Sequence, residues 1–349
     1  MNEMPLSTQC EARQRPKFLM PIILFLLTAA TTIVSGATFK GIDPFKNPSR
    51  LLEGLPFSLT LLTIILAHEF GHFFASQRHG VQASLPYLIP APPLITPGTF
   101  GAIIKSRAQG INKKALLDIG AAGPLAGFII AIAATIIGLH LSKMATLPKT
   151  GEGYGLGSSI IFQILSYFVI GSVPDNQGIL LHPVALAGWL GFFITCVNLL
   201  PIGQLDGGHI AFALFERSHR AISITMIVLL LIFGIFIWHG WLISALLVTI
   251  LFVRHRHPSS PDGQAVLDWK RKLVGWLSLI VFVLTFLPSP VCHYKFGEPK
   301  TATGCKCKMG VMHKNKTERR LSDLFSGKKV KGVLRYMPQN LNRQNLSPT

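Results

Sequence analysis

The chain has 349 residues, with 33 Lys and Arg against 15 Asp and Glu, a formal net charge of +18. Hydrophobic residues make up 49% and charged residues 14%, where a soluble globular protein carries about 25% charged residues. This balance excludes a water-soluble enzyme and an intrinsically disordered chain, and several uncharged stretches long enough to cross a bilayer point to an integral membrane protein.

In chain order, residues 1–17 form a short segment expected on the cytoplasmic side. Residues 18–39 carry no charge. No clear small-residue cleavage site follows, and the run is long for a signal sequence, so it reads as a retained first span. A second span over about 55–76 contains His68, Glu69 and His72. Residues 84–104 hold Pro86, Pro90, Pro92, Pro93 and Pro97. The prolines exclude a helix interior. The apolar character keeps this segment near the membrane, where non-helical backbone must be buried in protein or line a cavity.

Residues 115–141 give a third span and 183–200 a fourth, while the apolar stretch 158–171 is too short for a full crossing. Pro201, Gly203, Gly207 and Gly208 break the chain beside the fourth span. Residues 221–253 are long enough for two spans, with Trp238-His239-Gly240-Trp241 as the interfacial turn between them. Residues 273–290 give the last, for about seven in a membrane-embedded unit over 18–290. The basic loops hold Arg78, Lys105, Arg107, Lys113 and Lys114, then Arg217 and Arg220, then Arg254, Arg256 and Lys270 to Lys272. They fall on one side, which the positive-inside rule makes cytoplasmic.

From 291 to 349 the chain holds 13 Lys and Arg against 3 Asp and Glu, +10 of the total. This tail has no regular periodicity and is expected to be disordered, with anionic lipid as its natural contact. No aromatic-interleaved binding fold accompanies the charge, so no nucleic-acid partner is expected. The five cysteines are Cys10, Cys196, Cys292, Cys305 and Cys307. They outline no disulfide framework, and Cys305 and Cys307 with His293 and His313 match no zinc spacing.

The strongest chemical signal is His68-Glu69-Phe70-Gly71-His72. Histidines at i and i+4 share one helix face and can bind one zinc ion. The intervening glutamate can serve as general base. Ionisable side chains inside a span are expensive and are functional candidates by default. Zinc in a catalytic site takes three protein ligands and leaves one position open. Asp206, in Asn198-Leu199-Leu200-Pro201-Ile202-Gly203-Gln204-Leu205-Asp206-Gly207-Gly208, is the best third ligand: no Lys or Arg is near it in sequence. Its plain alternative is a helix N-cap. Asp118 is a weaker rival, and Glu152 and Asp175 sit in an extramembrane loop. Gly123-Pro124-Leu125-Ala126-Gly127 places small residues four apart, as close helix contact requires, and reads as packing beside the histidine helix.

Together the two motifs resemble the site-2 protease family of intramembrane zinc metalloproteases, over roughly residues 50–215. Residues 142–182 are too few for a PDZ module, so the likeness is to members without one. The resemblance implies one zinc per chain held by His68, His72 and Asp206, with Glu69 as the catalytic base. It implies that Asn198 lies near the site, where its amide can hold a substrate carbonyl or oxyanion or instead bond between helices. It also implies that the Pro-rich stretch with Thr99, Phe100 and Gly101 forms a membrane-associated β-like re-entrant segment. An edge there, at Phe100 to Ile104, can supply backbone partners to an unwound substrate. An ordinary re-entrant loop is the alternative.

The expected fold is thus an all-α polytopic membrane protein of about seven transmembrane helices with that β-like segment. The expected partners are transmembrane protein substrates and the lipid bilayer. Rival readings are a prenyl-type membrane endopeptidase, which would not need the second motif, and a proteolytically inactive relative acting as a membrane-protein chaperone or regulator. A metal transporter would show symmetric broken helices, and no repeat is visible. The absence of a Ser-rich leader favours a bacterial inner membrane.

Overall fold

The computed structural model describes residues 19–104, 112–146, 151–174, 177–254 and 267–296. The N-terminal segment, Lys105, Arg107, Lys149, Asp175, Arg256 and residues 297–349, including Cys305, Cys307 and His313, lie outside the described residues.

Among the described residues nine α-helices follow in order: α1 (Leu19–Phe39), α2 (Leu55–Arg78), α3 (Lys113–His140), α4 (Ile160–Ile170), α5 (Pro183–Asn198), α6 (Asp206–Leu214), α7 (His219–Phe236), α8 (Gly240–Arg254) and α9 (Trp269–Thr285). Their starts are encoded locally. The Asn112 side chain accepts from the Ala115 amide at the head of α3, and Ser159 from Phe162 at the head of α4, which satisfies amides a helix leaves unpaired. Pro183 opens α5, where its missing N–H costs nothing. α3 runs through Pro124 without interruption.

Among the described residues four helices are long and apolar enough to cross a membrane: Leu19–Phe39, Pro48–Arg78 (the 3-10 helix Pro48–Gly54 running into α2), Lys113–His140 and Glu216–Phe236 (the 3-10 turn Glu216–Ser218 running into α7). The expected count of seven is therefore reduced by this measure. α5, α8 and α9 have only 16, 15 and 17 residues. A 16-residue helix rises about 24 Å, short of a hydrocarbon core of about 30 Å. Hydropathy registers apolar runs, but the helix ends earlier than the run: α5 stops at Asn198 so that the chain can turn through 199–205.

Among the described residues six strands form three antiparallel pairs. β1 (Tyr87–Pro90) pairs with β2 (Thr99–Ile103), β3 (Lys143–Thr146) with β5 (Gln177–Leu180), and β4 (Gly151–Leu156) with β6 (Val291–Phe296). The first pair occupies the expected β-like segment, with Tyr87 opposite Ile103. The other two were not foreseen. β6 takes residues assigned to the tail, and its register sets Gly151 against Phe296.

The core lies where α2, α3 and α5 meet, around Phe57, Leu61, Ile64, Ala131 and Phe192. Small residues let these helices approach. A Cβ on Gly191 of α5 would come 2.9 Å from the Ala131 Cβ of α3. In lipid such close packing replaces the hydrophobic drive between helices.

Hydrogen bonds fix which helix ends coincide. His79 just past α2 and Arg271 at the start of α9 both reach Asp118 at the start of α3, at 2.9 Å. Lys113 bonds Glu216 ahead of α7 at 3.1 Å. At the other end, the His182 amide ahead of α5 donates to Ser142 Oγ past α3. There the buried Trp189 and Trp241 indoles donate to the Gly157 and Pro288 carbonyls, as a buried indole N–H requires a partner.

Candidate metal centre

α2 carries His68, Glu69 and His72, all turned inward: His68 is 6% and Glu69 7% exposed. His68 Nε2 and His72 Nε2 lie 3.1 Å apart. Asp206 Oδ2 lies 3.3 Å from each. Two donors about 2.0–2.1 Å from a tetrahedral ion stand about 3.3 Å apart, so these three atoms mark three corners of such a tetrahedron. They are the group of His and Asp that could hold a metal ion among the described residues.

Each side chain is placed by its surroundings. A carbonyl can only accept, so the 2.8 Å contact between His72 Nδ1 and the Ile119 carbonyl makes Nδ1 the donor. Neutral His72 then carries its lone pair on Nε2, facing Asp206 and His68. The Gly123–Gly127 step of α3 lies beneath both rings. A Cβ at Gly123 would collide with His72, and one at Gly127 would stand 3.1 Å from the His68 Cβ. The sequence marks these glycines as packing residues; what they pack against is the metal-ligating pair.

Asp206 arrives by a tight turn. Gly203 has φ of +55°, a left-handed conformation natural to glycine. Ile202 donates back to the Leu200 carbonyl at 2.7 Å. A Cβ at Gly207 would strike the Leu199 carbonyl, so the turn closes only with glycine there. Asp206 is the first residue of α6, and Leu205 is the cap position. The N-cap alternative is thus not what the aspartate does.

A cavity of about 650 Å³ opens on these residues. It is lined by Glu69, Asn198, Gln204, His209, the β2 edge from Thr99 to Ile103 and Ile104 just past it. Its apolar wall is Leu61, Ile64, Leu190 and Phe193. Asn198 Nδ2 lies 3.4 Å from His68 Nε2. Thr99 Oγ1 donates to the Ile89 carbonyl across the hairpin at 2.9 Å. Phe100 is 68% exposed, and Gly101 has φ of +96°. Gln204 was not singled out as a site residue by sequence, and only its neighbourhood of Asp206 could have suggested it; His209 reads from sequence as a supporting or structural residue in preference to a fourth ligand.

The rival Asp118 is committed elsewhere. It takes three contacts of 2.9–3.1 Å from Arg271 besides His79. Arg271 also grips Asp268 and, through that hydrogen bond first, holds the Asp268 carboxyl below the usual carboxylate range. Asp118→Asn is expected to lower unfolding stability by about 1–3 kcal/mol, the worth of a charged hydrogen-bond partner. It should leave metal content unchanged, as thermal unfolding and metal analysis of the same sample would test. Of the other candidates, Glu152 lies on β4, opposite Lys295 of β6 in the strand register.

The sequence profile of peptidase family M50 matches residues 56–239. The chain is 30% identical over 302 residues to "Probable zinc metalloprotease EGY1, chloroplastic" of Arabidopsis thaliana, covering 78% of this chain and 53% of that protein. It is 28% identical over 263 residues to "Probable zinc metalloprotease EGY2, chloroplastic" of the same plant, covering 71% and 44%. A match to "Probable zinc metallopeptidase EGY3, chloroplastic" is 32% identical over 188 residues, covering 50% and 32%. The chain therefore spans about half the length of the curated relatives it matches most extensively. These relatives are chloroplast proteins, so the bacterial inner membrane expected from the sequence finds no support.

Proposed function

Because the chain belongs to peptidase family M50, we propose that it is an intramembrane zinc metalloprotease, hydrolysing peptide bonds within or beside transmembrane segments of membrane proteins. The observation that carries this reading is the meeting of His68, His72 and Asp206 at 3.1–3.3 Å, from two motifs far apart in sequence. These residues would hold one zinc ion. When bound, zinc supplies Lewis-acid polarisation of a carbonyl and acidification of water.

The chain's own residues do the rest. Glu69 follows His68 on the same helix and lines the same cavity. It takes the proton of the attacking water and returns it to the leaving amine nitrogen. The Asn198 amide, at the cavity wall, donates to the substrate carbonyl as charge develops on it. The β2 edge receives the unwound substrate backbone, and Thr99, Phe100 and Gly101 shape that edge. The apolar wall of Ile64, Leu190 and Phe193 holds the flanking side chains. Water enters from the basic end, which is the cytoplasmic-equivalent face of the membrane by its charge. The helix-end contacts support seven passes, with α5, α8 and α9 as short crossings. Glu69, both histidines and Asp206 are all in place, so nothing in the site favours the inactive chaperone-like alternative.

Metal content tests this reading. Detergent-purified protein is expected to hold one zinc per chain. His72→Ala and Asp206→Ala should each weaken binding by more than about 100-fold, beyond the effect of losing an outer partner. Wild-type protein that takes up no zinc under metal-replete conditions would overturn the proposal, and zinc retained in full by Asp206→Ala would remove Asp206 from the ligand set.

A further inference from the structure

α1 carries Thr28, Thr31, Thr32, Ser35 and Thr38 in an otherwise apolar helix. Thr28, Thr32 and Ser35 are fully buried. Some of these hydroxyls do no more than bond back to their own helix: Thr28 donates to the Leu24 carbonyl at 2.7 Å and Thr38 to Val34 at 2.9 Å. Thr31 and Ser35 reach out of it. The shortest contact of Thr31 Oγ1 is 2.6 Å, to the Gly98 carbonyl. Ser35 Oγ stands 2.9 Å from the Pro93 carbonyl and 3.1 Å from the Thr96 carbonyl. All three acceptors belong to the link between β1 and β2.

That link needs donors from outside. It runs Ala91-Pro92-Pro93-Leu94-Ile95-Thr96-Pro97-Gly98, and its three prolines have carbonyls but no N–H. Leu94 and Ile95 are 56% and 88% exposed beside an apolar helix, so water is a poor source of replacement bonds. The approach is close: a Cβ on Gly98, whose φ is +90°, would lie 2.6 Å from the Thr31 carbonyl. β2 begins at the next residue and forms the cavity edge. On the neighbouring position, Thr32 Oγ1 meets Ser58 Oγ of α2 at 2.6 Å. α2 is the helix of His68 and Glu69. Adjacent hydroxyls on α1 thus hold the cavity edge on one hand and the catalytic helix on the other.

We propose that Thr31 and Ser35 are positioning residues: they fix the β2 edge relative to the metal-ligating helix and so set how a substrate backbone is received. This rests on the protease reading for its consequence in catalysis, but not for its structural content.

The test uses the zinc-loaded full chain in detergent, comparing wild type, Thr31→Val/Ser35→Ala and Thr31→Ser. Amide hydrogen exchange over residues 99–103 is read first. Each lost bond is worth about a factor of five, so the double variant should exchange about tenfold faster or more there, with α2 unchanged. The probe for turnover is a synthetic single-span peptide of apolar residues, labelled at both ends. KM should rise about tenfold with kcat and zinc content within twofold of wild type, and Thr31→Ser should behave as wild type. Unchanged exchange over 99–103, or zinc lost together with it, overturns the positioning role. If wild-type protein holds zinc yet never cleaves the peptide, the protease reading fails on that substrate class, and the exchange result alone decides the claim about Thr31 and Ser35.

Discussion

Glu69→Gln should abolish turnover, lowering kcat by about 1,000-fold or more, with zinc still bound at one per chain. Proton transfer by a positioned side chain is worth about 100- to 10,000-fold. Glutamine keeps the length and shape of glutamate but cannot carry the proton. Glu69 is not among the three donor atoms, which come from His68, His72 and Asp206, so metal binding should survive. The measurement is single-turnover cleavage of a labelled single-span peptide alongside metal analysis. Full turnover in zinc-loaded Glu69→Gln would mean that another group moves the proton, and His209, on the same cavity, would be the next to test.

Gly123→Ala should be nearly as damaging, by a different route. In the middle of a helix, alanine is intrinsically better than glycine by about 1 kcal/mol. Helix propensity therefore predicts a more stable protein. The new methyl group, however, falls on the His72 ring, and that ring is tied at Nδ1 to the Ile119 carbonyl, one turn before Gly123 on α3. The overlap falls on Nε2, Cδ2 and Cε1, so the imidazole must leave the position from which Nε2 faces Asp206. Zinc affinity should fall about 10- to 100-fold, as when a ligand's supporting contact is removed. Gly127→Ala offers the control. Its Cβ would sit 3.1 Å from the His68 Cβ, a contact that a few tenths of an ångström relieves, so it should lose less than about tenfold. Competitive zinc titration of both variants, with thermal unfolding to confirm intact folding, separates the cases. Equal affinity in the two would show that the glycines serve helix packing in general and not the His72 ring.

The metal centre was legible because its information is local. Two histidines four apart need only a helix to be brought to one face, and Leu-Asp-Gly-Gly needs only a tight turn to present its carboxylate. The helices were legible in the same way: α4 was expected to be short, and the break between α7 and α8 falls at Trp238 to Trp241. What escaped the sequence was long-range. β4 reads Gly-Glu-Gly-Tyr-Gly-Leu, with glycine at alternate positions and no apolar face to mark a strand. Its partner β6 lies over a hundred residues away. The commitment of Asp118 to Arg271 and His79 was equally hidden, since those residues come from three separate helix ends. The role of Thr31 and Ser35 was invisible because a hydroxyl in an apolar helix most often bonds its own turn, as Thr28 and Thr38 do.

The short helices have a consequence for the lipid around the molecule. α8 and α9, with 15 and 17 residues, face outward through Ile243, Leu246, Leu247 and Ile250, and through Leu273, Trp276 and Ile280. Their apolar height is about 22–26 Å. In the seven-pass arrangement proposed above, a bilayer of about 30 Å would have to pinch to meet them, at fractions of a kcal/mol per ångström of mismatch. The acyl chains along this flank would then be compressed. A visiting helix of about 20 residues that comes to rest there is too tall for its surroundings and must tilt or surrender its end turns to the headgroup layer.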